Sequence, residues 1–95
     1  MFEDLDPLLH SQLRLAIMSI LLSVEEADFV SLKEKTKASS GNLSVQINNL
    51  SEAKYIHVRK YFVGKRPQTV CKISKTGIKA FENYVNVLKE YIDPT

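Results

Sequence analysis

The segment from residue 40 to about residue 53 carries amide and hydroxyl side chains and almost no charge. Outside its apolar stripe it holds Asn42, Ser44, Val45, Gln46, Asn48 and Asn49. Asn and Gln amides can bond two atoms of an adenine edge at once, and Ser and Asn also reach phosphate oxygens. These side chains are therefore suited to contact a polynucleotide, although an ordinary solvent-facing surface is the alternative.

A strongly basic stretch follows this segment. Residues 54–79 contain eight Lys or Arg residues and no Asp or Glu, whereas all eleven acidic residues of the chain lie elsewhere. The formal net charge of +2 hides this separation. A stretch of one sign projects a positive field from one side of a folded domain, which suits a polyanion. A solvated Lys-rich surface without a ligand is the other interpretation.

Helices are predicted on both sides of the polar segment. The recurrence of apolar residues predicts a first helix over residues 8–24, entered through Asp6 and Pro7. Ser31 is expected to cap a short second helix that ends near Lys37, and a tight turn follows at residues 38–41. Ser39 or Ser40 then caps the third helix. Its predicted core stripe is Leu43, Ile47 and Leu50.

The basic stretch is predicted to form a β-hairpin and the start of a last helix. Residues 55–62 and 69–73 are rich in β-branched and aromatic residues, as strands are, and a turn-bearing loop at 63–68 joins them. Ser74 is expected to cap a helix that runs to about residue 92. The apolar residues of that helix repeat at heptad-like spacing: Ile78, Phe81, Val85, Leu88 and Ile92.

The first and last helices carry more apolar residues than one core-facing side requires. A helix that is apolar on several sides is buried on several sides, and in a small protein a second subunit can cover the excess. The alternative is that all of these residues belong to one core. The predicted homodimer interface consists of Leu9, Leu13, Ile17, Phe81, Tyr84, Val85, Leu88, Tyr91 and Ile92.

Bulk composition indicates one cytoplasmic domain over residues 1–95. The chain is 44% hydrophobic and 25% charged, near globular averages. It contains no run of 18 apolar residues that would span a membrane, and its acidic N-terminus is unlike a secretory signal. A single Cys forms no internal disulfide, which fits a reducing compartment.

Catalytic, metal and cofactor sites are not indicated. There is no Gly-rich phosphate loop and no nucleophile paired with a base, so we expect no enzyme activity. His10, His57 and Cys71 lack metal-ligand spacing. Cys71 alternates in phase with Ile73, which predicts a buried, unreactive thiol.

Four motifs together resemble the small MarR-type winged-helix transcriptional regulators. The resemblance spans roughly residues 8–92, and its motifs are residues 41–50, Tyr55-Ile56, residues 64–69 and residues 73–77. It implies an α+β, mostly α fold: a winged helix-turn-helix with a two-stranded β-hairpin wing and long N- and C-terminal helices. It also implies a homodimer that binds double-stranded DNA, with the third helix in the major groove and the wing on adjacent backbone or minor groove.

The residues matching this pattern form the expected DNA contacts. They are Ser39, Ser40, Asn42, Ser44, Val45, Gln46, Asn49, Lys54, Arg59, Lys65, Arg66 and Gln68. Lys54 stands where relatives usually have a left-handed Gly, a substitution that costs about 1 kcal/mol if the geometry is kept. Val45 stands where relatives often have a basic or polar residue. A small-molecule effector near the dimer interface and a protein-interaction or assembly module without sequence-specific DNA binding remain open.

Overall fold

The computed structural model describes residues 2–94 and contains four helices and a three-stranded antiparallel sheet of order β1-β3-β2. The predicted mostly helical α+β class with a hairpin is confirmed. The elements are α1 (Gln12–Ser23), β1 (Ala27–Asp28), α2 (Phe29–Thr36), α3 (Ser40–Glu52), β2 (Ile56–Val63), β3 (Arg66–Ile73) and α4 (Lys75–Ile92).

The first helix begins at Gln12, so the prediction that it starts at residue 8 is wrong. Two caps follow each other here. The Asp6 carboxylate accepts a hydrogen bond from the Leu8 N–H at 2.9 Å and closes a turn of its own. The Ser11 hydroxyl then accepts from the Arg14 N–H at the true start of α1. Short polar side chains cap helices in this way, and the second cap separates the turn from the helix.

The second helix is capped by Asp28 rather than by the expected Ser31. The Asp28 carboxylate accepts the Ser31 N–H at 2.8 Å, so Ser31 lies inside the first turn of α2. Ala27 and Asp28 also form β1, which pairs with Cys71 and Val70 of β3. A strand of two residues is too short to show a period in sequence, and the predicted two-stranded wing therefore gains a third strand at its base.

The wing hairpin turns in two residues, Gly64 and Lys65, so the predicted loop over residues 63–68 is too long. Gly64 has φ +66°, a conformation that costs glycine little and lets the chain reverse at once. The Val63–Arg66 pair closes the turn, and Phe62 is opposite Pro67 in the next pair. Residues 59–67 are all exposed, so the outer half of the hairpin extends beyond the core.

The core lies between α1, α2, α3 and the base of the sheet. The predicted stripe of α3 is confirmed, and Cys71 is fully buried as expected. Burial raises the pKa of the Cys71 thiol to about 11, which keeps it protonated and unreactive at neutral pH. The largest fully buried side chains are Leu9, Ile17, Met18, Leu21, Leu32, Leu43, Leu50, Ile56 and Cys71.

A Schellman motif ends α3 and leads into the wing. The Lys54 N–H bonds the Ser51 carbonyl at 2.9 Å, and the Tyr55 N–H bonds the Leu50 carbonyl at 3.0 Å. Lys54 adopts φ +64°, the left-handed conformation expected at its position. The helix therefore ends on a strained residue, because a side chain with a Cβ is disfavoured there.

The same turn holds the start of α4. The Ser74 hydroxyl caps α4 at Gly77 and donates to the Lys54 carbonyl at 2.7 Å, while the Ser74 N–H bonds the Tyr55 carbonyl. A Cβ on Gly77 would lie 2.1 Å from the Tyr55 carbonyl oxygen, so only glycine fits. The Tyr55 hydroxyl donates to Asp6 at 2.5 Å. Burial, together with Asp6, raises the pKa of Tyr55 to about 12, which keeps that donor protonated.

Replacing Lys54 by Gly should stabilise the protein by about 0.5–1 kcal/mol, because the left-handed strain removed exceeds the flexibility gained by the unfolded chain. Urea unfolding measures the difference. Lys79→Gly, on an exposed face inside α4, is the matched control and should lose about 1 kcal/mol. Equal losses at both positions would contradict the assigned strain at Lys54.

Candidate nucleic-acid interface

The outward surface of α3 has Val45 at its centre. Because Leu43, Ile47 and Leu50 point into the core, helical periodicity turns Val45 to the opposite side, where its side chain is 55% exposed. Asn42, Ser44 and Asn48 are exposed beside it, and Asn49 is half-buried at its edge. Asn48 was not among the predicted contacts. It follows Ser44 by four residues and therefore lies beside Ser44 on the same side of the helix.

Gln46 lies beside the core stripe rather than at the centre of this outward surface, and its predicted contact with bases stays a prediction. It follows Leu43 by three residues and precedes Leu50 by four, so it lies at the edge of the core stripe and is half-buried. The Gln46 carbonyl oxygen accepts a hydrogen bond from the Arg14 guanidinium. Its amide nitrogen donates to Asn42 at 3.1 Å. Both ends of the amide are thus used inside the protein.

Arg14 braces α3 from the first helix. Its Nε donates to the Leu8 carbonyl while its Nη1 donates to Gln46. Gln46 in turn contacts Asn42, and Asn49 donates to Gln46 at 3.4 Å. Arg14 therefore holds the Gln46 amide, and Gln46 in turn holds the amides of Asn42 and Asn49. Arg14 was not among the residues predicted from the sequence.

The N-terminal end of α3 brings predicted and unpredicted residues together. Ser39 is the cap, and its hydroxyl accepts the Asn42 N–H at 3.2 Å. Ser40 lines a crevice of about 470 Å³ with Lys33 and Lys37 of the preceding helix and turn. Two cations therefore lie beside a helix N-terminus, where the backbone dipole also favours anions.

A second crevice separates α3 from the wing. It has a volume of about 480 Å³, with Ser44, Asn48 and Ser51 on the helix side and Lys60 and Thr69 on the sheet side. Its other lining residues are the apolar Phe29, Ile47 and Val58. Lys60 is the cation of this crevice, and it was missing from the predicted contacts.

Arg59 and Gln68 lie on the sheet surface opposite to α3, and their predicted contact with DNA stays a prediction. Side chains alternate along a strand, so Lys60 facing α3 requires Arg59 to face away. Arg59 lies 3.6 Å from the Glu26 carboxylate and stacks 5.0 Å from the Tyr61 ring centre. Gln68 pairs with Tyr61 and shares that surface.

The remaining predicted cations lie at the two ends of the hairpin. Lys65 is in the wing turn and Arg66 is the first residue of β3, and both are exposed. Lys54 is exposed at the C-terminal end of α3, away from Ser39 and Ser40 at its start. The structure thus brings the wing-tip pair together but leaves Lys54 apart from the first turn of α3.

Several residues predicted at the dimer interface are covered by the chain itself. Leu9 and Ile17 are fully buried, and Tyr84 is 4% exposed with its hydroxyl 3.0 Å from His10. Leu13 lines a cavity beside the turn between α2 and α3. A partner subunit cannot cover side chains already in the core, so Leu9, Ile17 and Tyr84 are corrected to core residues.

The N-terminal segment lies along the last helix. The Tyr91 hydroxyl donates to the Glu3 carbonyl at 2.6 Å, and the Tyr91 ring packs 5.3 Å from the ring of Phe2. Tyr91 is therefore partly covered by its own chain, as His10 covers Tyr84. This contact carries the acidic N-terminus along α4.

One apolar strip of α4 stays uncovered. Phe81, Val85 and Leu88 are half-buried, and Ile92 is 75% exposed at the helix end. Leu22 of α1 lines a crevice with Phe81 and Val85 and extends the strip. These five residues, Leu22, Phe81, Val85, Leu88 and Ile92, are called the α4 strip below.

Neither a metal centre nor a membrane span occurs among residues 2–94. No group of three or more His, Cys, Asp or Glu side chains is placed to hold a metal ion there. No helix in the same range is long and apolar enough to cross a membrane.

A helix-turn-helix whose second helix lies beside a basic hairpin is the architecture of one known family. Residues 13–92 match the winged helix DNA-binding domain family. The chain belongs to this family. The predicted resemblance to small MarR-type winged-helix regulators is confirmed, and family members typically have no enzymatic activity.

Relatives of this winged-helix protein cover most of its length. An uncharacterized protein of Methanocaldococcus jannaschii is 33% identical over 76 residues, 80% of this chain and 83% of that protein. A transcriptional regulator homologue from Pyrococcus horikoshii OT3 has 29% identity and a TM-score of 0.83, covering 92% of this chain and 86% of that one. A mutant MarR from E. coli complexed with operator DNA shares the fold at 16% identity, with a TM-score of 0.71 and coverage of 92% and 67%.

The brace between Arg14 and Gln46 predicts a non-additive pair of mutations. Arg14→Ala and Gln46→Ala should each lower the free energy of unfolding by about 1–2 kcal/mol, because each leaves a half-buried polar partner unsatisfied. The double variant should lose little more than either single one, which urea unfolding in a double-mutant cycle measures.

The exposed amide Asn48 supplies the control for this cycle. Asn48→Ala should change stability by no more than about 0.5 kcal/mol, since its partner Glu52 is also exposed. Fully additive losses for Arg14→Ala and Gln46→Ala would show that the two side chains do not act together.

Proposed function

We propose that the protein is a sequence-specific regulator of transcription that binds double-stranded DNA as a homodimer in the cytoplasm. In this proposal α3 enters the major groove, and Val45 with its flanking Asn42, Ser44 and Asn48 faces the base edges. The Val45 methyl groups suit a thymine methyl, whereas the amides suit adenine.

The observation that carries this proposal is the placement of Lys60 across a crevice from the uncharged surface of α3. Uncharged amides and hydroxyls can hydrogen-bond base edges, and cations nearby bind the phosphate backbone. Lys60, Lys65 and Arg66 supply cations on the wing side, while Lys33 and Lys37 supply them at the start of α3. A DNA backbone on each side of the groove would meet one of these two sets.

Two solved relatives of the same fold support DNA as the partner. MarR of E. coli and PadR of Bacillus subtilis are each complexed with operator DNA, the latter at a TM-score of 0.70 and 15% identity. Carried to this chain, the proposal places two copies of α3 in successive major grooves about 10 base pairs apart.

Affinity for duplex DNA should fall steeply with salt, with a logarithmic slope of about 0.9 for every phosphate contact. Lys60→Ala should make this slope shallower because it removes a cation beside α3. Arg59→Ala is the matched control, and it should change the slope less because Arg59 lies on the opposite sheet surface, 3.6 Å from the Glu26 carboxylate. Fluorescence anisotropy of a labelled duplex at several salt concentrations measures both.

Two outcomes would contradict this arrangement. A flat salt dependence for the wild-type protein would remove the phosphate-binding mechanism. A larger effect of Arg59→Ala than of Lys60→Ala would place the duplex on the other surface of the wing. If the protein binds no duplex in a pool of mixed sequences, the result favours the alternative function of a protein-interaction module.

The α4 strip is the proposed dimer surface. It contains four residues of the predicted interface that stay at least partly exposed, Phe81, Val85, Leu88 and Ile92, and adds Leu22 of α1. Pairing two copies through it would bury side chains that otherwise face water. A small-molecule effector near the dimer interface stays a prediction.

Val85→Glu should convert a dimer into a monomer at micromolar concentration, because it buries an unpaired charge in the proposed interface. Asn83→Glu is the control, since Asn83 is exposed on a different side of α4 and the substitution should leave the dimer intact. Sedimentation velocity measures both states. A wild-type monomer at that concentration would contradict the proposal.

A further inference from the structure

The wing tip carries an aromatic side chain that residues 2–94 leave largely exposed. Phe62 is 71% exposed, more than any other aromatic residue named among the exposed large hydrophobic side chains of residues 2–94. Its cross-strand neighbour is Pro67, which is also exposed. An exposed phenylalanine on a projecting hairpin is costly in water and indicates a binding partner.

Strand alternation fixes the surface from which Phe62 projects. Val58 and Lys60 line the crevice against α3, and Phe62 is the next residue in that series. It therefore lies on the α3 side of the wing, about 7 Å farther out than Lys60. Whatever α3 binds, Phe62 faces the same partner.

The pairing with Pro67 makes this surface continuous. In a hairpin closed by a two-residue turn, the pair next to the closing pair makes no backbone hydrogen bonds and brings its side chains close together. Phe62 and Pro67 occupy that pair. The missing N–H of Pro67 therefore costs nothing there, and two rigid rings form one apolar wedge at the tip.

Charge decides which partner fits the wedge. Lys60 lies on one side of it and Lys65 and Arg66 lie at the turn, within a stretch from Lys54 to Lys79 that has no acidic residue. An apolar protein surface gains nothing from three flanking cations. A DNA minor groove has a negative potential that attracts cations, and its base steps offer apolar faces to a wedge that partly unstacks them.

We propose that Phe62, backed by Pro67, inserts into the minor groove next to the site of α3 and partly unstacks one base step, which kinks the duplex. The inference rests on the proposed DNA binding. It adds Phe62 as a contact residue and insertion between bases as the way in which it binds. Lys60 and Lys65 hold phosphates beside the opened step. Arg66, which pairs with Val63 on the other sheet surface, is the next cation at the turn. Sequence preference then includes the ease with which that step unstacks, since pyrimidine–purine steps deform most readily.

The test uses the full chain and a duplex of about 30 base pairs recovered by the wild-type protein from a random pool, long enough for two half-sites. Single bases at the positions next to the α3 footprint are replaced in turn by 2-aminopurine, whose fluorescence rises when it is unstacked. DNA bending is measured on the same sequence by end-to-end energy transfer. The variants are Phe62→Ala, Phe62→Leu and Val63→Ala.

The wild-type protein should raise the fluorescence at one step in each half-site and bend the duplex. Phe62→Ala should abolish the signal, reduce the bend and weaken binding about tenfold, whereas Phe62→Leu should keep most of the signal because a wedge remains. Val63→Ala is the matched control, an exposed apolar residue at the same tip on the opposite sheet surface, and should behave as wild type. Thermal melting should be the same for all four proteins, since the tip lies outside the core.

Three results would overturn the inference. One is tight wild-type binding with no fluorescence change at any position. Another is a Phe62→Ala variant that keeps both the signal and the bend. The third is a Phe62→Ala variant that dissociates the dimer while its DNA signals persist, which would assign Phe62 to a protein contact. Failure of the wild-type chain to bind any duplex would instead refute the proposed function, and the wedge with it.

Discussion

A Schellman turn at Lys54 and Tyr55 joins the three elements on which the proposed activity depends. It ends α3, begins the wing and, through the Ser74 hydroxyl on the Lys54 carbonyl, holds the first turn of α4. Gly77 lets α4 approach the Tyr55 carbonyl more closely than any side chain would allow. The angle between α3, the wing and α4 is therefore set at one place, where Lys54 adopts the disfavoured left-handed conformation.

The two surfaces of the wing have separate tasks because a strand alternates its side chains. The surface toward α3 carries Lys60 and Phe62, which face the proposed DNA. The other surface carries Arg59, whose charge is shared with Glu26 and the Tyr61 ring. Net charge along the sequence thus overstates the charge available to a duplex. A second brace, from Arg14 to Gln46, holds α3 from the side of the first helix.

The elements with strong local signals could be predicted from sequence. The stripe of Leu43, Ile47 and Leu50, the cap at Ser74 and the burial of Cys71 all follow from short-range patterns, and the structure confirms them. The sequence left the cap of α3 open between Ser39 and Ser40, and the structure selects Ser39. The start of α1 was wrong because Asp6 and Ser11 both offer a cap, and only the packing of residues 6–11 separates the two.

The sequence predicted the type of site, a nucleic-acid interface on α3 and the wing, but not every side chain in it. Alternation from Ile56 and Val58 already pointed to Lys60 rather than Arg59, so that signal was present in the sequence. Gln46 lies three residues after Leu43 and four before Leu50, so the sequence already places it beside the buried stripe of α3. Its partner Arg14 is 32 residues away, and no local pattern predicts such a contact.

We propose that two copies of this chain present α3 and the wing to one duplex as a symmetric unit. Hydroxyl-radical footprinting of the complex, on a duplex selected by the wild-type protein, would show this arrangement. We expect two protected patches related by two-fold symmetry, with centres about 10 base pairs apart. A single patch without symmetry, or protection that does not repeat at one helical turn, would contradict it.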